Sequence, residues 1–260
     1  LLMIHSIDPI FLTIGNFHIY WYGIMYLFAF LLAWILGNIY IRKRLVPISR
    51  DQFSDLIFYS FLGVFFGGRI GYCFFYNFAF TIENPLSLFF IWEGGMSFHG
   101  GFIGVLISIY YFCRKNRIKF FQISDFITAL TPIGLFTGRI GNFINGELWG
   151  KPTNTSFGII FPSVDMIPRH PTQIYEAVFE GIILFIILNI LYLKKLSFSV
   201  ITAYFLILYS AFRFSIEFFR MPDAHIGYIA FNWVTMGQLL CLPMLLLGIY
   251  LLQINKGNHS

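Results

Sequence analysis

Charged side chains make up only 11% of the 260 residues, less than half of the roughly 25% usual in soluble globular proteins. That shortage excludes an enzyme with an ordinary solvated surface, and it excludes a disordered chain, which needs high charge and few apolar residues. Cysteine is nearly missing too, with 3 residues. Cys73, Cys113 and Cys241 stand far apart in apolar stretches, with no CxxC, so a disulfide-built secreted scaffold is excluded. They read as small apolar side chains. No HExxH occurs and no two histidines share a helix at metal-ligand spacing, so no metal and no cofactor are expected.

What the chain has instead is apolar and aromatic. Hydrophobic residues reach 58% and aromatics 21%, with 34 Phe, 15 Tyr and 5 Trp. A bilayer span needs about 20 apolar residues, and the apolar stretches supply seven: 18–41, 53–76, 98–112, 121–143, 174–193, 200–219 and 233–254. The expected fold is an all-α integral membrane protein of seven transmembrane helices, one polytopic domain over 1–260. The segment 145–171, rich in Gly, Pro, Asn and Ser, reads as a small outer cap.

The net charge is +5, but the cations do not form a nucleic-acid face. Eleven of the 17 Lys and Arg residues fall in alternate loops: Arg42, Lys43, Arg44, Arg50, Arg114, Lys115, Arg117, Lys119, Lys194, Lys195 and Lys256. This is the positive-inside bias. It orients the C-terminus toward the cytoplasm and, with seven spans, the N-terminus outside. No cleavable signal peptide is expected, because the first apolar stretch is long enough to span and lacks a basic leader.

The remaining cations sit among the polar residues that gather toward the outer ends of the spans. A charge at mid-bilayer costs roughly 2.5–3.5 kcal/mol on insertion scales, so such residues call for a reason. Tyr209, Arg213, Glu217 and Arg220 follow one another at offsets of four, four and three, which puts them on one helical stripe. Arg213 and Glu217 are therefore expected to pair. The run from Gly138 to Gly150 contains Arg139 and Asn142 on one face, Glu147, and glycines that allow close approach. Ser97-Phe98-His99-Gly100-Gly101 holds a histidine able to titrate near neutrality, at what reads as a broken or re-entrant start to the third span. Arg169-His170-Pro171-Thr172-Gln173-Ile174-Tyr175-Glu176 opens the fifth span, with Pro171 or Thr172 starting the helix and Glu176 and Glu180 along one face.

These stretches closely resemble the prolipoprotein diacylglyceryl transferase family. The run GRIGNFINGELWG looks like its signature, and His99-Gly100-Gly101, His170 to Glu176 and Arg213 to Arg220 match in the same order. Tyr20-Trp21-Tyr22-Gly23, Gly67-Gly68-Arg69 and Ser124-Asp125 also fit; Tyr20 stands where a His or basic residue is expected. The resemblance covers the chain from the first span to the last. It implies a bacterial inner-membrane enzyme with a periplasmic head, which moves the diacylglyceryl group of phosphatidylglycerol onto the thiol of a lipobox cysteine in a preprolipoprotein. The partners implied are that lipid, that protein substrate and the bilayer, with no nucleic acid, and a monomer is expected.

Such a transfer needs a proton acceptor for a thiol of pKa about 8.5 and positive charge for the departing phosphate. Arg139 and Arg213 are the residues expected to hold the phosphate, with Glu217 orienting Arg213 and His99 as base. Tyr22 and Asn142 would position lipid or nucleophile, and Glu147 and Glu176 would fix the Arg and Asn side chains. Gly150, Tyr209 and Arg220 complete the expected phosphatidylglycerol site. A transporter or channel for an anionic solute would use the same arginines, but it predicts matching half-sequences, and none is visible. A structural scaffold gives no reason for Arg, Asn and Glu at one depth.

Overall fold

The structure is a computed structural model and describes residues 3–15, 17–75, 77–89, 95–222 and 227–257. His225 and His259 lie outside them. Helices dominate: α1 Trp21–Arg42, α2 Arg50–Phe75, α3 Phe78–Glu83, α4 Phe98–Asn116, α5 Phe120–Ile144, α6 Thr172–Glu176, α7 Leu184–Leu193, α8 Val200–Ile216 and α9 Met236–Gly257. A π-helical stretch, Ala177–Ile183, joins α6 to α7 in one continuous helix. Each of the seven apolar stretches is helical over most of its described length. The exceptions are 18–20, which form a strand, and 217–219 and 233–235, which lie outside α8 and α9.

Among the described residues, five helices are long and apolar enough to cross a membrane: Trp21–Arg42, Arg50–Phe74, Phe120–Ile144, Thr172–Leu193 and Met236–Asn255. α8 is shorter, at 17 residues. α4 has 19, with His99 in its first turn and Arg114 and Lys115 in its last. Large apolar side chains such as Leu246, Ile107 and Phe74 point outward, as they do where lipid rather than water is the solvent.

Among the described residues, five short strands supplement the helices. β2 (Ile10–Ile14) and β3 (Phe17–Tyr20) form an antiparallel hairpin, turned at Gly15 with φ +59°, which only glycine adopts freely. β1 (Met3–Ile4) runs parallel to β4 (Ile159–Ile160), and β4 pairs with β5 (Pro168–Arg169). The segment 145–171 thus carries a small sheet that its turn-rich composition conceals.

The chain divides into two compact units, Leu1–Leu36 with Asp125–Ser260, and Gly37–Ser124. In the first, α8 packs on α9. Gly248 lies so near α8 that a Cβ would sit 2.9 Å from Ala203 O. The Asp125 carboxylate accepts from Ser199 N and Thr202 N, each at 2.8 Å, satisfying amides at the start of α8 that have no partner within the helix. Asn189 Nδ2 donates to Ala129 O at 2.9 Å, tying α7 to α5. In the second unit, α2 and α4 meet through Gly63, Gly67, Gly71, Gly100 and Gly104. A Cβ on Gly100 would lie 2.9 Å from Gly71 Cα, so the backbones themselves are in contact.

Candidate active site

Three of the four polar clusters converge in the first unit, on the ends of α5, α6 and α8. Glu176 is the hub. Its carboxylate forms ion pairs with Arg139 Nε at 3.0 Å, with Arg213, and with Arg220 Nη1 at 3.2 Å. Glu180, one turn further on, accepts from Arg139 Nη2 at 3.4 Å. Arg213 also pairs with Glu217 at 2.8 Å, the contact its spacing predicts. Glu217 accepts from the Thr235 hydroxyl at 2.9 Å.

Three guanidinium groups and three carboxylates make this cluster formally neutral. Desolvating an ion costs several kcal/mol, and mutual pairing offsets that cost where water is scarce. The exposure is uneven. The side chains of Glu176 and Glu180 are 0% exposed, while Arg139 keeps 17% and Arg213 12%. The carboxylates form the back of the site and the guanidinium groups its accessible side. A guanidinium has five N–H donors in a planar fork suited to oxyanions, and the carboxylates leave some of them open.

The signature run wraps this cluster. Asn142 accepts from Arg139 Nη1 at 3.5 Å and donates to Glu147 Oε1 at 2.8 Å, so Glu147 sets the asparagine that touches the arginine. The chain then turns sharply through Gly146 at φ +66° and Leu148 at φ +58°. The latter is costly for a residue with a Cβ, by about 1–3 kcal/mol. Thr172 Oγ1 donates to Leu148 O at 2.9 Å and Gln173 Nε2 to Glu147 O at 2.5 Å, bracing the turn. Thr172 therefore does not cap the helix. Pro171 occupies that position.

Gly150 continues the bracing. Its N–H donates to His170 O at 2.8 Å, it bridges to Arg220, and a Cβ there would lie 2.7 Å from Phe219 O. Arg169 donates to Gly150 O at 3.2 Å, stacks over Trp149 at 4.4 Å and pairs with Asp165 at 2.5 Å. Hydrogen bonding from Arg169 holds the Asp165 carboxyl below its ordinary pKa. Burial pushes the His170 imidazole down, favouring its neutral form.

The other expected residues are distributed as follows. Tyr22 packs against Gly141, whose Cβ would meet its ring at 2.8 Å, and its hydroxyl lies 3.4 Å from that of Tyr26. Tyr209 stacks on Phe205 with centroids 5.5 Å apart, one turn before Arg213. Tyr20 ends the exposed strand β3. His99 belongs to the second unit, exposed in the first turn of α4. That helix has no broken start among the described residues: Ser97 caps it, accepting from Gly100 N at 3.2 Å. Nor, among the described residues, do three His, Cys, Asp or Glu side chains group as metal ligands.

A family model described as prolipoprotein diacylglyceryl transferase matches residues 9–254, nearly the whole chain and all of the cluster. The chain belongs to the prolipoprotein diacylglyceryl transferase family. It is 47% identical over 277 residues to the phosphatidylglycerol–prolipoprotein diacylglyceryl transferase of Xanthomonas euvesicatoria pv. vesicatoria, covering 98% of this chain and 94% of that protein. It is 48% identical over 256 residues to the protein of the same name from Methylococcus capsulatus, covering 98% of each. A third relative of that name, from Xanthomonas axonopodis pv. citri, is 47% identical over 277 residues, with 98% and 94% covered. For a diacylglyceryl transferase, a site of oriented guanidinium groups in a chain of membrane-length helices is chemically apt.

Residue spacing along the chain brings out Arg213 with Glu217 and Arg139 with Asn142. It does not bring out Glu176 as the hub, because its three arginines come from α5, from α8 and from the turn beyond α8, where Arg220 has left the helical stripe expected of it and bridges to Gly150. The weak signal was the pair of carboxylates, Glu176 and Glu180, four residues apart in an apolar helix.

Proposed function

We propose that Arg139 and Arg213 grip the headgroup phosphate of phosphatidylglycerol while the thiol of a lipobox cysteine in a prolipoprotein attacks the adjoining glycerol carbon. A sulfur–carbon bond forms as the bond from that carbon to phosphate oxygen breaks. The diacylglyceryl group goes to sulfur, glycerol phosphate departs with the electron pair, and His99 accepts the thiol proton. The family supports the substrates. The observation that carries the reading is a pair of part-exposed guanidinium groups, each fixed from behind by buried carboxylates. Preorganised charge of this kind stabilises developing negative charge without reorganising during the reaction.

Glu217 and Glu176 orient Arg213, and Glu147 acts through Asn142 on Arg139. Arg220 shares Glu176, while Tyr22, Tyr209 and Gly150 shape the walls that seat the lipid. The chain is a monomer and a single polytopic domain over 1–260, of seven spans, in the bacterial inner membrane. The basic loops after α1, α4 and α7 mark the cytoplasmic side. α5 starts just after Lys119, so its far end, with Arg139 and the 145–171 cap, faces the periplasm, as does the N-terminus.

Incubating the purified protein with phosphatidylglycerol and a lipobox peptide tests this. The expected result is a peptide mass gain of one diacylglyceryl group on the cysteine. An unmodified peptide, with anionic solute crossing liposomes instead, would favour transport and overturn the transfer reading.

A further inference from the structure

Glu180 is the one carboxylate of the cluster to which phosphate binding and thiol attack give no task. Its side chain is wholly buried within the π-helical stretch, a form of turn frequent at functional sites. Oε2 makes the longest ion pair of the cluster, 3.4 Å to Arg139 Nη2. Among the described residues Oε1 has neither a hydrogen bond nor an ion pair, whereas Glu176 Oε2 and Glu217 Oε2, which also lack a hydrogen bond, each pair with an arginine. Glu176, by contrast, meets three guanidinium groups, and Glu217 has Arg213 and Thr235. Facing Glu180 are Arg139 from α5, Glu176 on its own helix, Tyr209 and Arg213 from α8, and Cys241 from α9.

The charge count sets the problem. Three cations balance three anions until a phosphodiester brings in a fourth negative charge, in surroundings that screen poorly. That phosphate also competes for the Arg139 Nη2 that Glu180 holds. Losing its one ion pair among the described residues would leave Glu180 a buried, poorly compensated anion, and such a group neutralises by taking a proton.

We propose that Glu180 takes up a proton when an anionic phosphodiester headgroup engages Arg139, freeing Nη2 for the phosphate. The proton comes from water and returns to it as glycerol phosphate leaves, and no lipid bond is made or broken in the exchange. This rests on the headgroup-binding reading of the site. It makes Glu180 a positioning residue that acts through Arg139.

The test is binding of phosphatidylglycerol to the full-length protein in phosphatidylcholine nanodiscs, between about pH 8 and about pH 6. One linked proton gives an affinity gain of up to about tenfold per pH unit on acidification. Glu180→Gln should bind as tightly as the wild type does at the acid end, with that slope abolished. A variant that keeps the wild-type slope, or binds more weakly than the wild type at the acid end, overturns the proposal. So does an equal slope for uncharged diacylglycerol. Infrared difference spectra of the wild type give a readout independent of the variant's folding. Phosphatidylglycerol should induce the carbonyl stretch of a protonated carboxyl, and its absence overturns the proposal. Wild-type binding without pH dependence sinks Glu180's role alone, whereas no binding at any pH sinks the headgroup reading itself.

Discussion

Each of the two units holds arginine among its helices, and the described partners differ in kind. Among the described residues, Arg69 of α2, in the second unit, donates to backbone carbonyls: Nε to Leu88 O at 3.2 Å, Nη1 to Gly95 O at 3.3 Å and Nη2 to Ser87 O at 2.5 Å. It pins the loop after α3 to α2. Arg139 and Arg213, in the first unit, are held by carboxylates instead. Carbonyls spread along a backbone cannot leave without unfolding it. A carboxylate that shares its cation with an incoming oxyanion can yield donors while the helices stay in place. Burial of an arginine therefore says little by itself; the chemistry of its acceptors separates a fastening from a binding site.

The sharpest way to break this contrast is at Arg139. Arg139→Ala should lower diacylglyceryl transfer by about a hundredfold to a thousandfold, and Arg139→Lys should recover little of it, lacking the planar fork. Peptide mass spectrometry reads both. Full transfer by the alanine variant would remove the arginine from the site. Arg69→Met should act on stability instead, at about 1–3 kcal/mol for each carbonyl left unsatisfied, read as a fall in Tm. An unchanged Tm would mean that Arg69 fastens nothing.

Glycine substitutions sharpen the same contrast at lower cost. Gly100→Ala drives a methyl into the α2 backbone and should lose about 1–3 kcal/mol. Gly138, in the signature run, has no atom within 4 Å of where a Cβ would stand. Gly138→Ala should therefore leave Tm unchanged and lower transfer if the open space beside it receives lipid. A loss of Tm equal to that of Gly100→Ala would return Gly138 to packing.

The smallest effect is expected in the cap. Asp165 has a depressed pKa, so its pairing with Arg169 contributes fully above the ordinary carboxylate pKa of about 3.9 and is lost as pH falls through the lower folded value. Acid titration followed by Trp149 fluorescence should show that transition, and Asp165→Asn should abolish it. A titration unaltered by the substitution would separate Asp165 from the Trp149 stack.

Much of the helical plan is legible in the residues taken in order. A run of about 20 apolar residues has few alternatives to a helix in a bilayer, and Arg213 with Glu217 reads off one turn of α8. The β2–β3 hairpin is not legible, because its exposed apolar residues look like the start of the span that follows. Nor is the capped start of α4, since Gly100 and Gly101 read equally well as a break or as the surface on which α2 lies.

Composition and local spacing were enough to decide that this chain is helical and membrane-bound, and which polar residues carry a burial cost that demands a purpose. Only the folded structure decided that Glu176 joins three arginines, that Thr172 braces Leu148 rather than capping its own helix, and that Glu180 is the loosest anion in the set. The physical reason is range. Hydrophobic length and one-turn contacts act within a few residues, whereas the pairing of buried charges depends on which helices stand side by side.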